Sequence, residues 1–338
     1  MALGIVLFSV CASSTAFAAD KIVIRLGNGE PNVGMWETPN PTVLTTVFKN
    51  QVERNSNGRI TVEAFHSGQL GDYASMLGQV QRNLLTAAVI SSGLYATYYP
   101  DIQALDIPYL FRSPEQANDL LVMKEGSYAK ELSDKMAAKT NIRILTFLVG
   151  AMRDFSNSKR EIKTPDDMKG LRIRVMQIPA HIKTVEALGA AATPISYSEL
   201  YTALQTGVVD GQENAPFVLN TIRLHEVQKY VTLDGHFANI NSLCISEKFM
   251  QSLSPEDRKI VWNAAYTAMR AYTGTQFAKE EVDLEAIAAK MKITALTEEQ
   301  FLQFRAKAQP PVIEYLKGTI NPAEVDRIIN AVKAMEGQ

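Results

Sequence analysis

The sequence KGLRIRVMQIPAHIKTVEALGAAATPISYSELYTALQTGVVDGQEN, residues 169–214, decides the fold of this chain. It opens with LRIRV (171–175), in which apolar residues alternate with arginine, the pattern of a half-buried strand. Because successive side chains of a strand point to opposite faces, Arg172 and Arg174 share the face opposite the apolar one. That face carries the best candidate for ligand chemistry.

The remainder of this stretch predicts a helix, a crossover, a second helix and a strand. Pro179 is placed for the first turn of the first helix. Ser196 and Glu199 have the spacing of a capping box, S-x-x-E, which predicts the second helix from about Tyr197. The segment VVDGQEN (208–214) then predicts a short apolar strand that runs into a polar turn.

The chain before this stretch alternates strands and helices in the same way. KIVIRLGN (21–28) predicts a strand, and residues 41–55 have helical spacing. RITVEAF (59–65) alternates as a strand, Asp72 can cap the next helix, and LLTAAVISS (84–92) predicts a buried strand. This order is typical of an α/β fold on a mostly parallel sheet, in which ligands bind at the carboxyl ends of strands.

Three side chains lie near such a cleft by their position in the sequence. Ser91 ends the buried strand, and Tyr73 lies at the preceding turn and can reach the same place. A plain turn is the alternative for both. Trp36 lies in a loop rich in glycine, proline and asparagine (29–41), where an aromatic ring can line a ligand site. Interdomain packing is the alternative for Trp36.

Several longer segments of the sequence resemble a known protein family. DMKGLRIRV (167–175), TPISYSELYTALQTGVVDGQEN (193–214) and HEVQKYV (225–231) are similar to the periplasmic solute-binding subunits of tripartite ATP-independent periplasmic (TRAP) transporters, the DctP family. Weaker similarity runs from about Lys21 to the C-terminus. The resemblance implies a two-lobed α/β periplasmic binding protein, type II-like, with a hinge and a long helix that spans both lobes. It also implies ion-coupled integral membrane subunits as partners.

The resemblance further implies roles for four residues. In the family, one arginine of the LRIRV strand pairs with the ligand carboxylate, and the matching position is Arg174. Arg153 matches a second arginine that often faces the ligand; its alternatives are an ion pair with Asp154 or a solvated loop. Asn214 matches a ligand contact in the DGQEN turn. Tyr197 matches an aromatic residue that flanks the ligand, with packing beside the helix cap as the alternative.

Arginine suits a carboxylate ligand for a chemical reason. Its guanidinium fork donates two parallel hydrogen bonds to the two carboxylate oxygens and stays charged at any relevant pH. The other arginine of the strand, Arg172, has the weaker claim, because such a pair usually turns one member to solvent or to a structural acid.

The N-terminus predicts export. Residues 1–18 carry no charged side chain and end in Ala16-Phe17-Ala18, an A-x-A cleavage pattern, so we interpret them as a signal peptide and expect a periplasmic protein. An N-terminal helix of the fold is the alternative, and the segment is too short for a membrane span. The mature chain keeps one cysteine, Cys244, in an apolar run, which predicts a buried free thiol.

Composition and missing motifs exclude several functional classes. The chain is 46% hydrophobic and 21% charged with a net charge of −2, so no basic excess favours nucleic acid. It contains no G-x-G-x-x-G, P-loop, G-x-S-x-G or H-E-x-x-H motif, and its four histidines show no close metal spacing. We expect no cofactor, no metal and no catalysis.

The chain is long enough for two domains with their own cores. Ser254 caps a helical pattern that extends to about Met291 and would cross both lobes; two helices broken near Gly274 are the alternative. The chain is expected to change domain near Gly150. We expect residues 19–150 with about 238–275 in lobe I, and residues 151–237 with about 276–338 in lobe II.

These patterns predict a monomeric binding protein that captures a small organic carboxylate and delivers it to TRAP membrane subunits. Dicarboxylates, sugar acids and 2-oxo acids all remain open as ligands. Two other classes remain open as well: a binding protein of an ATP-driven importer or sensor system, and a secreted enzyme that acts on a carboxylate in the same cleft.

Overall fold

The computed structural model of the protein describes residues 21–32 and 41–336. The predicted signal peptide (1–18) and Trp36 lie outside these residues, so the expectations for them stay predictions. Within the described residues the chain forms nine strands and eleven α-helices. The strands are β1 Ile22–Asn28, β2 Ile60–Phe65, β3 Ala87–Ser91, β4 Ile142–Asn157, β5 Arg172–Val175, β6 Ala191–Pro194, β7 Gly211–Asn214, β8 Tyr230–Ser246 and β9 Lys292–Ala295. The helices are α1 Pro41–Asn55, α2 Tyr73–Gln81, α3 Pro114–Leu120, α4 Tyr128–Thr140, α5 Pro179–Leu188, α6 Leu200–Gln205, α7 Pro216–Thr221, α8 Glu247–Ser252, α9 Pro255–Ala288, α10 Glu298–Thr319 and α11 Pro322–Glu336.

The strands form one sheet with a parallel block at each end. Its order is β2-β1-β3-β8-β4-β7-β5-β6, and β9 pairs with β8. In the first half of the sheet, β1 runs parallel to β2 and β3; in the second half, β5 runs parallel to β6 and β7. The two central strands, β4 and β8, are antiparallel to each other and connect the halves. The chain is therefore an α/β protein, as predicted.

The central strands are much longer than the others and carry the connection between the halves. β4 has 16 residues and β8 has 17, and their pairing is interrupted by bulges. One interruption falls between Val149 and Met152. It includes Gly150, where the sequence predicts the change of domain. A bulge bends a strand and disrupts its ladder, so this position suits a hinge.

The long helix is continuous. α9 has 34 residues and does not break at Gly274, so the alternative of two shorter helices is wrong. The hydroxyl of Ser254 accepts a hydrogen bond from the backbone N–H of Asp257 at 3.0 Å, as the predicted cap requires. α9 packs against the central strand β4. It also packs against α1, which covers the first half of the sheet, and against α7, which follows β7 in the second half, so it spans both halves.

Apolar cores lie on both faces of the sheet. One core lies between the first half and helices α1 and α9, and a larger one joins helices α2, α4 and α11 to the opposite face. A third lies under α5 and α10 in the second half. Cys244 belongs to the larger core as a free, buried thiol, as the sequence predicts.

The helix predicted from Tyr197 begins later. Tyr197–Glu199 forms a 3₁₀ turn, and α6 starts at Leu200. The hydroxyl of Ser196 donates to the Glu199 carboxylate at 2.6 Å and accepts no hydrogen bond from the backbone of the turn. The two side chains of the predicted capping box satisfy each other, so the box does not start the helix.

The polar turn predicted at the end of VVDGQEN is a buried strand. Gly211–Asn214 forms β7 between β4 and β5, and all four residues are buried. Its polar side chains find partners inside the protein: the Gln212 amide donates to the Ser156 hydroxyl at 2.7 Å. Buried polar groups are stable where hydrogen bonds replace water, which hydropathy does not reveal.

We expect Gly150→Ala to destabilise the protein by about 1–3 kcal/mol, because overpacking forces neighbouring elements apart. A methyl group at this position would overlap Cβ and Cγ of Gln276, where β4 meets α9. Urea denaturation measures the loss.

Gly274→Ala is the matched control. Gly274 lies on α9, the helix that carries Gln276, and no atom lies within 4 Å of the added carbon. The substitution should leave the free energy of unfolding unchanged or raise it by up to about 1 kcal/mol through helix propensity. Equal stability of wild type and Gly150→Ala would contradict the packing of α9 on the bulge.

Candidate functional site

A cavity of about 180 Å³ lies between the two halves of the sheet. Its walls come from the carboxyl ends of strands, where ligands bind in open α/β sheets. The volume is several times what one water molecule needs, so a small organic molecule fits. The residues that line it include Gly29 after β1, Ser67 after β2, Tyr73 at the start of α2, Leu94 after β3, Arg174 in β5 and Tyr197 after β6.

Arg174 is the one arginine among the residues that line this cavity, and it is almost completely buried, with 1% of its surface exposed. Its Nε donates to the carbonyl oxygen of Ile195 at 2.8 Å. Its Nη1 has no hydrogen-bond partner within the described part of the chain. Burial lowers the pKa of Arg174 to about 10, an effect that the Glu213 carboxylate opposes and the Arg153 cation adds to. The guanidinium therefore stays charged at neutral pH, and its Nη1 is a donor without a partner in the described residues.

Two tyrosines and a glutamate form the opposite part of the site. The rings of Tyr73 and Tyr197 lie 5.9 Å apart. The Tyr73 hydroxyl donates to Oε1 of Glu30 at 3.1 Å, and the Tyr197 hydroxyl donates to Oε2 at 2.8 Å. Burial raises the pKa of Glu30, and the hydrogen bonds from Tyr197 and Tyr73 oppose that rise.

Glu30 is missing from the residues that the sequence singles out. It follows β1, at the carboxyl end of a parallel strand. Ser91, at the end of β3, is identified as a candidate from the same kind of position. The same rule applied to β1 finds Glu30. It lies in the Gly- and Pro-rich loop that the sequence predicts. Because a glycine and a proline flank it, the sequence pattern indicates an ordinary loop residue.

Arg153 is buried and fully paired, and it is not among the residues that line the cavity. Its Nε donates to the Glu213 carboxylate at 2.6 Å, its Nη2 to the Glu213 carbonyl at 2.7 Å and its Nη1 to Asn239 at 2.9 Å. Neither an ion pair with Asp154 nor a solvated loop describes it. Burial is the largest cause of the lowered pKa of Arg174, and the positive charge of Arg153 lowers it further. A direct contact with a ligand stays a prediction.

Asn214 and Ser91 lie near the site but not in the cavity wall. Asn214 ends β7, is 4% exposed and donates to the side-chain oxygen of Gln212 at 2.5 Å. Ser91 ends β3 and is buried. Their ligand contacts, like that of Trp36, stay predictions. The guanidinium of Arg172 donates two hydrogen bonds to the Asp210 carboxylate, at 2.8 and 3.1 Å, which fits the expected structural acid.

Glu213 is the centre of a buried network behind Arg174. Besides Arg153, it lies 3.5 Å from Nδ1 of His181 and 3.5 Å from Nε2 of His236. Burial alone would raise the pKa of Glu213, but Arg153 and the two histidines hold it well below its usual range. Burial would lower the pKa of His236, but Asp234 and Glu213 raise it to about 9.

His181, in the first turn of α5, is a buried histidine. Only 2% of it is exposed, and it reaches Oδ1 of Asp106 at 3.3 Å. The cause is the packing of the first turn of α5 against the 3₁₀ helix Pro100–Asp106 from the first half of the sheet. Burial would lower the pKa of His181, but Asp106 and Glu213 raise it.

The described ranges, 21–32 and 41–336, contain neither a metal-binding cluster nor a membrane-spanning helix. No group of three or more histidine, cysteine, aspartate or glutamate side chains there can hold a metal ion. In the same ranges, no helix combines the length and the apolar character that a membrane span needs.

Comparison with known proteins identifies a family that this chain matches. Residues 36–318 match the model of the DctP family, described as bacterial extracellular solute-binding protein, family 7. A solute-binding protein of Verminephrobacter eiseniae (strain EF01-2) is 31% identical over 274 residues, which cover 80% of this chain and 79% of that protein.

Two solved structures share the fold over almost the whole chain. The sugar acid binding protein DctPAm of Advenella mimigardefordensis strain DPN7T, in complex with galactonate, has a TM-score of 0.86 at 28% identity and covers 93% of this chain and 99% of its own. A TRAP periplasmic solute-binding protein of Polaromonas sp. JS666, bound to D-erythronate, has a TM-score of 0.82 at 28% identity and covers 91% and 98%.

We expect Glu213→Gln to destabilise the protein by about 3–5 kcal/mol, because it leaves the buried Arg153 without its counter-ion. Chemical denaturation measures the change. Glu199→Gln removes an exposed carboxylate of the neighbouring turn and should shift the free energy of unfolding by less than about 0.5 kcal/mol. A loss below about 1 kcal/mol for Glu213→Gln would show that Arg153 does not depend on this pair.

A second prediction concerns pH. The pKa of His236 is about 9 in the folded protein and about 6.5 in the unfolded chain. Its contribution to stability is therefore complete below pH 6.5 and is lost as the pH rises through 9. Burial raises the pKa of Asp154 to about 7, so above pH 7 its contribution is constant. Between pH 7 and 9 the free energy of unfolding should fall.

His236→Asn should reduce that slope, whatever its effect on stability at pH 7. His225→Asn is the control, because burial lowers the pKa of this histidine and it stays neutral across the window. Denaturation curves at five pH values between 7 and 9 provide the slopes. An unchanged slope in His236→Asn would mean that this histidine is not a buried cation.

Proposed function

The chain belongs to the bacterial extracellular solute-binding proteins of family 7, the DctP family, and on that premise we propose that it captures a small organic carboxylate outside the cytoplasm. The single observation that carries the ligand class is the free Nη1 of the buried Arg174 in the cavity wall. A buried cation without a full set of partners is costly, and a carboxylate supplies both a counter-charge and an acceptor.

The fork of a guanidinium matches the two oxygens of a carboxylate better than it matches a neutral amide. The low polarity around a buried pair strengthens the attraction, since water does not screen it. The similar proteins that were solved with galactonate and D-erythronate hold sugar acids, which are carboxylates. These facts support an organic acid as the ligand and leave the rest of the molecule to the cavity.

The proposed site centres on Arg174, with Tyr73 and Tyr197 against the ligand. Arg153 is the second proposed arginine contact, close behind Arg174 and paired with Glu213. Asn214, Ser91 and Trp36 complete the proposed set of contacts. No cofactor and no metal takes part, and the protein releases the acid unchanged because it is a carrier and not an enzyme.

The proposed cycle is closure and delivery. The lobes are residues 19–150 with about 238–275, and 151–237 with about 276–338, joined at the bulged part of β4 and β8. They close on the acid as a hinged clamp. The loaded monomer then delivers it to TRAP integral membrane subunits in the periplasm, after its N-terminal signal peptide has directed export.

Arg174→Ala should weaken the binding of the acid by at least about 30-fold, since losing one partner of a desolvated charge pair typically costs about 2–5 kcal/mol. Arg174→Lys should also lose most of the affinity, because lysine offers a point charge without the fork. The measurement is thermal shift of protein stripped of ligand by unfolding and refolding, against a panel of organic acids and their neutral amides. An acid at a hundred times its dissociation constant should add about 2.7 kcal/mol of stability.

Arg172→Ala is the matched control, because this half-exposed arginine lies on the same strand, pairs with Asp210 and is not among the residues that line the cavity. It should bind like wild type. Equal shifts with acids and amides, or binding by Arg174→Ala within threefold of wild type, would remove the carboxylate proposal.

A further inference from the structure

The hydroxyl groups of Tyr73 and Tyr197 have only one hydrogen each, and both hydrogens point to Glu30. A phenol that donates its hydrogen can only accept further hydrogen bonds. The cavity wall formed by Tyr73 and Tyr197 therefore offers acceptors to a ligand. A second carboxylate facing these two hydroxyls would find no donor in them and would lie close to a buried acid.

The carboxylate of Glu30 is held rigidly in this arrangement. Its backbone N–H donates to the Asn28 side chain at 3.0 Å, and its carbonyl accepts from the Ser67 N–H at 2.9 Å. Gly29 lets Tyr73 approach closely, since a methyl group there would lie 2.5 Å from Cζ of that ring. The orientation of the tyrosine hydroxyls is thus built into the loop after β1.

Glu30 has no cationic partner of its own within the described residues, and its two oxygens are satisfied by the tyrosines alone. Arg174 is close enough to oppose the rise in the pKa of both Tyr73 and Tyr197 that burial causes. The cavity thus has a cationic donor in one wall and a negatively polarised acceptor pair in another. A ligand that fits both must be a carboxylate at one end and a hydrogen-bond donor at the other.

We propose that Glu30 is a specificity-determining residue that turns the tyrosine pair into acceptors, so that the protein takes a monocarboxylate with a hydroxyl or ammonium group at its far end and rejects the matching dicarboxylate. This inference rests on the proposed function and narrows its ligand class. Glu30 acts through the tyrosines and is a positioning residue.

The test compares acids that differ only at the far end: glycerate with tartronate, erythronate with tartrate, and galactonate with galactarate. In each pair the terminal CH₂OH becomes a carboxylate. 3-Hydroxypropionate, β-alanine and malonate carry a hydroxyl, an ammonium and a carboxylate at the far end, and so separate the two kinds of donor from the diacid. Titration calorimetry on wild-type protein stripped of ligand should find at least one pair in which the hydroxy acid binds tenfold or more tightly than its diacid.

Glu30→Gln is nearly isosteric, and its amide can donate to one tyrosine, which frees that hydroxyl to donate into the cavity. The preference for the hydroxy acid should then fall to threefold or less, with the diacid gaining affinity. A merely structural role of Glu30 would weaken both acids together and leave their ratio unchanged. Tyr197→Phe provides a second variant, which should weaken the hydroxy acid and not the diacid.

Glu199→Gln is the matched control, since it removes an exposed acid beside Tyr197 without touching the tyrosine hydroxyls. It should keep the wild-type ratio. A diacid that binds wild type as tightly as its hydroxy acid, or a ratio that Glu30→Gln leaves unchanged, would overturn this inference and leave the proposed function intact. Absence of binding by every acid in the panel would overturn both.

Discussion

Two buried arginines with unequal partners govern this molecule. Arg153 is neutralised by Glu213 at 2.6 Å and has a partner for each of its nitrogens. Within the described residues, Arg174 has one hydrogen bond, to a carbonyl, and its buried Nη1 has no partner. Desolvating a charge is costly, so the first arginine is stable as folded and the second is stable only with a further acceptor. The two arginines thus differ in how fully their charges are paired, and that difference is the basis of the proposed ligand site.

The sheet explains why this site lies where it does. β4 and β8 run through both halves of the sheet, and the two parallel blocks approach each other at the carboxyl ends of their strands. Among the polar contacts that join the two halves in the described part of the chain, the Tyr197 hydroxyl donates to Glu30 and His181 lies 3.3 Å from Asp106. In the proposed hinged clamp, opening the cleft would break both contacts and expose these groups. The central strands would then couple ligand binding to the proposed motion.

Much of the fold follows from periodicity and caps in the sequence. The alternation in LRIRV locates Arg174 on a strand, and the Ser254 cap identifies the long helix. The buried polar groups could not be predicted in this way. GQEN forms an interior strand because partners on β4 satisfy it, and His181 is buried because a distant aspartate lies beside it. The role of Glu30 could not be predicted for the same reason, because its partners, Tyr73 and Tyr197, are remote in the sequence.

The most direct test of the account is a crystal structure of the protein with the acid that binds it most tightly. The account predicts a carboxylate oxygen about 2.7–2.9 Å from Nη1 of Arg174, the length of a charge-assisted hydrogen bond. The hydrogen bond from Nε to Ile195 and the pair of Arg153 with Glu213 should both persist. A ligand whose carboxylate lies elsewhere, with Nη1 of Arg174 still unpaired, would contradict the central claim.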